Sequence, residues 1–310
     1  MEFDKTKKIL ELREPFDHAQ MMAVIVEMAE RYPELSVGTL GRSILGRNIP
    51  MLEIGKGKKR VVYIGAHHGM EGITAALLIR FVNEYIELWR AGSVMGKIPM
   101  RTLGAARSIC IVPMLNPDGV EYALHGITED NPMRERVITM NGGSHDFCHW
   151  QANARGVDLN HNYHAGFEAY KSLEGQMGIL GGAPTKYSGE HPESEPETAY
   201  LCNYIRFQGD FSLALTLHTQ GEEIYYTSCG ESMPAGERIA RYLAELSDYR
   251  LAKPEGTAAY GGFTDWFIRE FHKPSFTIEC GKGQNPLPFS DLTMIYLRIR
   301  KMLYTAPMLI

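Results

Sequence analysis

Val61-Val-Tyr-Ile-Gly-Ala-His-His-Gly-Met-Glu71 opens with four apolar residues, three of them β-branched, behind the basic cluster Lys56, Lys58, Lys59 and Arg60. An apolar run without alternation fits a strand buried on both faces, as in a parallel sheet. Gly65, His67, His68 and Glu71 follow, and then apolar residues at helical spacing: Ile73, Leu77, Leu78, Phe81, Val82 and Tyr85. A strand, a tight turn and a helix put the polar residues at the carboxyl end of a strand, where open α/β sheets place their sites. His68 and Glu71 stand three apart, so at the mouth of a helix over 72–90 both side chains turn toward one point. A neutral imidazole and a carboxylate are good ligands for first-row metals, and two histidines, a glutamate and a water form a recurrent catalytic zinc set. Chance alone yields roughly one His-x-x-Glu pair in a chain of this composition. The strand-turn-helix context therefore carries the reading, and it requires a third ligand elsewhere; without one, His67 and His68 read as hydrogen-bonded turn residues.

Working outward, residues 17–32 carry Met21, Val24, Ile25 and Met28 at helical spacing and stop before Pro33. Residues 35–40 and 49–54 read as two strands joined by a turn region, and 61–66 as the strand described above. A loop with Gly92, Gly96 and Pro99 leads to a strand over 108–114, which ends in the turn composition Asn116-Pro-Asp-Gly119. From 119 to about 192 periodicity fades, which is too long for an ordinary connection and reads as a functional loop region. Helices follow over 193–207, 232–249, 263–271 and 290–303, the last capped by Ser290. Strands over 211–216 and 275–278 end at His218 and Glu279. Alternating strands and helices predict an α/β fold, a mainly parallel, twisted mixed sheet with helices on both faces.

With 310 residues, 44% of them hydrophobic, the chain can bury one large core. No linker or repeat divides it, so 1–310 reads as a single catalytic domain. A formal charge of −5 gives no basic surface for nucleic acid. No apolar run approaches the roughly 20 residues that span a bilayer, and residues 1–16 lack the apolar core of a signal peptide. Five scattered cysteines without a Cys-x-x-Cys pair read as free thiols in a reducing compartment. A cytoplasmic location is expected.

His68 with Glu71, His218, and Glu279 thus stand at the carboxyl ends of separate strands. His68, Glu71 and His218 supply the three protein ligands of a catalytic zinc, and Glu279 would face its water as a proton-shuttling carboxylate. Taken singly, His218 reads equally well as a polar strand end, and Glu279 reads better as one, since strand-end carboxylates are common.

The chain resembles the zinc carboxypeptidases of the carboxypeptidase A superfamily along nearly its whole length. The matching pieces run in family order: Gly41-Arg-Ser-Ile-Leu-Gly-Arg-Asn-Ile49, His68-x-x-Glu71, Asn116-Pro-Asp-Gly119, Gly156-Val-Asp-Leu-Asn160, Ser194-Glu-Pro-Glu-Thr198, Leu217-His218 and Phe276-Thr-Ile-Glu279. The resemblance implies that His68, Glu71 and His218 bind Zn2+ and that Glu279 is the general base. Within the superfamily, His218-Thr-Gln-Gly-Glu-Glu-Ile-Tyr225 and the segment after Glu279 look most like the bacterial branch that cleaves γ-D-glutamyl-diamino acid bonds. A small muropeptide-like substrate is therefore expected.

Two departures fall in the recognition residues. The family usually follows the asparagine at the place of Asn160 with arginine, and here His161 stands there. A carbonyl-polarising arginine is usual nine residues before that asparagine, where this chain has Gln151. An amide cannot make the charge-assisted fork of a guanidinium. Arg155 reads either as a substitute or as surface charge. The family's mobile tyrosine aligns with Thr257, and Tyr260 is the nearest phenol, either a lid or a packed loop residue. His145, His149, His161 and His164 crowd the same region and invite a second-metal reading, but without metal spacing they read as substrate contacts or solvated loop histidines. Two rival functions stay open: a zinc deacylase on an N-acyl amino acid, and a metal-bound peptide-binding protein with weakened catalysis.

Overall fold

The computed structural model describes residues 12–310. The signal-peptide expectation concerns residues 1–16, and its first eleven lie outside the described residues. Eight strands form the main sheet: β1 Ser36–Arg42, β2 Asn48–Gly55, β3 Lys59–Ile64, β4 Arg107–Val112, β5 Phe211–His218, β6 Glu223–Tyr225, β7 Arg250–Ala252 and β8 Ser275–Glu279. Their order across the sheet is β1-β2-β4-β3-β5-β8-β6-β7. The central β4-β3-β5-β8 block is parallel throughout, as is β6 with β7, while β1/β2, β2/β4 and β6/β8 pair antiparallel. The mixed, mostly parallel sheet agrees with the sequence pattern.

Period-2 alternation sorts the strand residues onto two cores. Val61, Tyr63, Leu213, Leu215, Phe276 and Ile278 pack on one face. There they meet α1 His18–Arg31, α2 Ile73–Ala91, α3 Met100–Ala106, α8 Pro234–Ser247 and α10 Leu292–Thr305. Val62, Ile64, Cys110, Val112 and Ala214 turn to the other face, against α7 Pro196–Gln208 and α9 Phe263–Phe271. Each large aliphatic side chain fully buried this way is worth about 1.5–3 kcal/mol. Sliding β3 by one residue would send every one of them to the wrong helices, so the carboxyl end of this strand has a fixed position.

Four local expectations need correction. The loop after α2 contains α3, too short for its period to show. Asn116-Pro-Asp-Gly119 begins a helix, α4 Pro117–His125, instead of making an isolated turn. The Asn116 carboxamide oxygen accepts from Gly119 N at 2.9 Å and Pro117 occupies the first helical turn, so a turn composition here is an N-cap signature. The long region from 119 contains α5 Arg134–Met140 and α6 Phe167–Gln176, with a small core of its own around Tyr122, Val137, Phe147 and Trp150. At the far end, α10 follows a 3-10 turn over Phe289–Asp291, and no side chain, Ser290 included, caps it.

Candidate metal centre

The turn that leaves β3 is held by backbone groups on every side. Gly65 N donates to Val112 O, and Leu115 N and Asn116 N donate back to Gly65 O and Ala66 O. Gly69 N and Met70 N donate to the carbonyls of Gln151 and Trp150, each at 2.9 Å. The buried Asn116 amide donates to the carbonyls of His67, Gln151 and Ala152 at 3.0–3.1 Å. A Cβ on Gly69 would stand 2.3 Å from Gly119 O, so only glycine fits between the two loops. A single 3-10 turn, Gly69–Glu71, then brings the two side chains together, with His68 Nδ1 2.9 Å from Glu71 Oε1.

The third group arrives through sheet register. His218 and Glu279 end adjacent parallel strands as paired residues. His218 Nδ1 lies 3.1 Å from Glu71 Oε2, and one ligand atom from each of His68, Glu71 and His218 falls within 4.8 Å of the others. Bonds of ~2.0–2.1 Å in a tetrahedral zinc site set ligand atoms about 3.3 Å apart. Two imidazole nitrogens and a carboxylate at these separations fit that ion with little movement.

Behind them stands Asp158, whose role the sequence did not expose. Its Oδ1 is 3.1 Å from His68 Nε2, and its oxygens also accept from the backbone N–H groups of Asn160 and Lys186. A carboxylate on the far nitrogen fixes the tautomer and ring orientation of a metal-ligating histidine. The one advance signal was its place in the Gly156-to-Asn160 motif. His67 is a different kind of residue: it is buried, with Nε2 3.0 Å from Tyr163 Oη and its ring stacked on that of His218. It belongs to the hydrogen-bonded turn.

The electrostatics follow from this crowding. Burial alone would push the Glu71 carboxyl up, but the His68 and His218 rings against it outweigh that and hold it at about 2. Burial would likewise disfavour a charged His68, yet Glu71 and Asp158 raise its pKa well above the ordinary value. Asp158 is held below the carboxylate range, burial being overcome mainly by His68 and His161. A metal ion would replace the proton that His68 attracts. Glu279 goes the other way: burial first, then the negative Glu71, lift it to about 8 against the pull of His68.

A cavity of about 120 Å³ opens in front of this group, and His68, His218 and Glu279 share its wall with Asn160 and His161. The remaining sequence-selected residues lie elsewhere. Gln151 accepts a hydrogen bond from the Thr185 hydroxyl and lends its backbone to the metal turn. Arg155 is exposed, its Nε 3.7 Å from Glu195 Oε2, and does not line the cavity. The Tyr260 carbonyl accepts from His161, while its ring lies against Gly166 and its phenol is not part of the cavity wall. His145, His149 and His164 are exposed and form no metal-capable group. Sequence reasoning passed over Thr264, Asp265 and Thr277, which do line the cavity. Thr277 was within reach, since it shares a strand face with Glu279 two residues on.

The sequence pattern of the zinc carboxypeptidase family (Peptidase_M14) matches residues 21–299. Gamma-D-glutamyl-L-diamino acid endopeptidase 1 of Lysinibacillus sphaericus is 31% identical, covering 94% of this chain and 72% of its own length. An uncharacterized protein of Bacillus subtilis, YqgT, is 32% identical over 93% of this chain and 76% of its own. The crystal structure of thrombin activatable fibrinolysis inhibitor superposes with a TM-score of 0.71 at 19% identity, covering 95% of this chain and 76% of that one, and shows the common fold. The chain belongs to the zinc carboxypeptidase family, hydrolases that use zinc.

Proposed function

We propose that this hydrolase cleaves an amide bond in a small cell-wall-derived peptide with a γ-D-glutamyl-diamino acid link, using zinc held by His68, Glu71 and His218. The observation that carries the reading is Glu279 in the same cavity as His68 and His218, paired in register with the latter. Zinc at this position supplies a Lewis acid that polarises a carbonyl and brings the pKa of water toward ~7. Glu279 accepts the proton of the attacking water and delivers it to the leaving amine nitrogen. Its walled-in carboxyl, which holds a proton more tightly than an exposed one, suits both halves of that transfer. Asp158 keeps the His68 ring oriented, and Asn160 and His161 position the substrate from the cavity wall. The name of the Lysinibacillus relative supports the γ-D-glutamyl substrate. Residues 1–310 act as one catalytic domain in this reading, and five free thiols support action in a reducing compartment such as the cytoplasm.

Two measurements test it. Metal analysis of His218→Ala should show loss of stoichiometric zinc, because two protein ligands make an inadequate site. Mass spectrometry of L-Ala-γ-D-Glu-meso-diaminopimelate after incubation with the zinc-loaded protein should show cleavage at the γ-D-glutamyl bond. Hydrolysis confined to ordinary α-linked C-terminal residues would overturn the substrate reading and leave a carboxypeptidase.

A further inference from the structure

The wall of the cavity holds two carboxyl groups, Asp265 and Glu279, and among the described residues no lysine or arginine. Reading a free substrate carboxylate calls for a fixed cation, and the one that sequence offered, Arg155, leans on Glu195 instead. His161 stands where such a cation is usual, and its chemistry in this setting differs from a guanidinium's. His161 Nδ1 is 3.0 Å from the Tyr260 carbonyl oxygen. A carbonyl can only accept, so the ring proton sits on Nδ1 and a neutral ring presents Nε2 as a bare lone pair. The imidazole is stacked on Tyr170 at 4.0 Å between ring centroids and 17° between planes, which fixes where that lone pair points. Burial disfavours a second proton more than Asp158 favours it, lowering the pKa of the ring.

We propose that His161 is a specificity-determining residue whose Nε2 accepts a hydrogen bond from a substrate ammonium group, so that its part of the cavity selects an amine over a carboxylate. The nearby Asp265 carboxyl adds to the same preference. Its oxygens accept from Cys229 N at 2.7 Å and Gly262 N at 3.2 Å, which leaves acceptor capacity over. A diamino acid carries such a group and an ordinary aliphatic residue does not. The inference deepens the peptidase reading above, on which its link to diamino acids rests, but the contact itself is independent of any hydrolysis.

Nα-acetyl-L-lysine and Nα-acetyl-L-norleucine differ by one ammonium and serve as the lysine and norleucine probes. Calorimetric titration of the zinc-loaded protein should show lysine binding about 10-fold tighter, the lower range for a hydrogen bond to a charged group. His161→Phe keeps the stack on Tyr170 and removes the acceptor, so the two affinities should converge to within about 2-fold. His161→Gln, which retains an acceptor oxygen, should restore part of the preference. Norleucine binding as well as lysine to the wild type, or an unchanged ratio in His161→Phe with normal zinc content, would overturn the assignment. Hydrolysis of γ-D-Glu-L-Lys and γ-D-Glu-L-norleucine is followed alongside. Lysine preference without cleavage of either peptide sinks the hydrolytic reading alone, and equal cleavage without preference sinks the ammonium site alone.

Discussion

The strand ends and the long connection between α4 and α7 build the same cavity by different means. His68, His218 and Glu279 sit at the ends of β3, β5 and β8, whose positions are locked by two cores and by sheet register. Asn160 and His161 reach the wall from a segment with little regular structure, placed by scattered contacts such as Phe263 N to Asn160 Oδ1 at 3.1 Å. On a strand end, a neighbour's location follows from pairing. In the connection, partners such as Phe263 for Asn160 and Tyr260 for His161 lie about a hundred residues away and follow no spacing rule. Under the proposed function, the catalytic group belongs to the first kind of region and recognition to the second.

The largest expected effect probes the first region. Glu279→Gln should keep the fold and the zinc while turnover drops at least ~10²-fold, the lower end of general acid–base contributions. A variant that still turns over would move the base elsewhere and erase the functional contrast between the regions. Next comes Asp158→Asn, a residue of the connection that serves the strand-end group. The expected loss is ~10- to 100-fold in zinc affinity or activity, as for other groups that orient a metal ligand from behind. Unchanged zinc affinity in a competitive chelator titration, with unchanged activity, would cut this link.

A smaller effect should appear in stability. Glu197, buried in the first turn of α7, accepts from Ile44 N and from the Asn153 amide, each at 3.3 Å. Burial, with Asp118 and Glu195 adding to it, raises its carboxyl to about 8. An acid whose folded pKa lies above its unfolded value of ~4.3 leaves the unfolded chain with fewer protons between the two, so it costs stability as pH rises from ~4.3 to about 8. Glu197→Gln should therefore gain on the wild type from pH 5 to pH 8 in denaturant melts. A constant difference between the two proteins would mean that Glu197 titrates as an ordinary carboxylate. The smallest effect is reserved for Arg155→Ala. With its side chain exposed and facing Glu195, kcat/KM should change by less than ~3-fold, the range of a surface substitution. A loss of ~30-fold or more would bring Arg155 back into the cavity.

Most of the sheet was legible because β3, β4, β5 and β8 are short, largely apolar runs buried almost throughout, and a run bounded by turn residues announces such a strand. His68, Glu71, His218 and Glu279 could be collected for the same reason: two lie in the turn that leaves one of these runs and two close a run. β6 and β7, three residues each, are shorter than any period can reveal. Asn116-Pro-Asp-Gly119 misled because turn and helix-start chemistry use the same residues. Gln151, Arg155 and Tyr260 were chosen for residue type and sequence distance, and the first gives the cavity only its backbone's support. Asp265 had no signal at all, since its place in the cavity wall depends on how α9 meets Ser228 and Cys229.

The three carbonyls gathered by Asn116 have a consequence for traffic of the ion itself. Because they and the backbone bonds of Gly69 and Met70 shape the turn without the ion's help, His68 and Glu71 form a ready-made socket. Stripping the metal with a chelator should leave the protein folded and the socket in place, so that zinc returns without refolding. Exchange of the ion should grow easier as the medium turns acidic, because protons compete for the same ligand atoms.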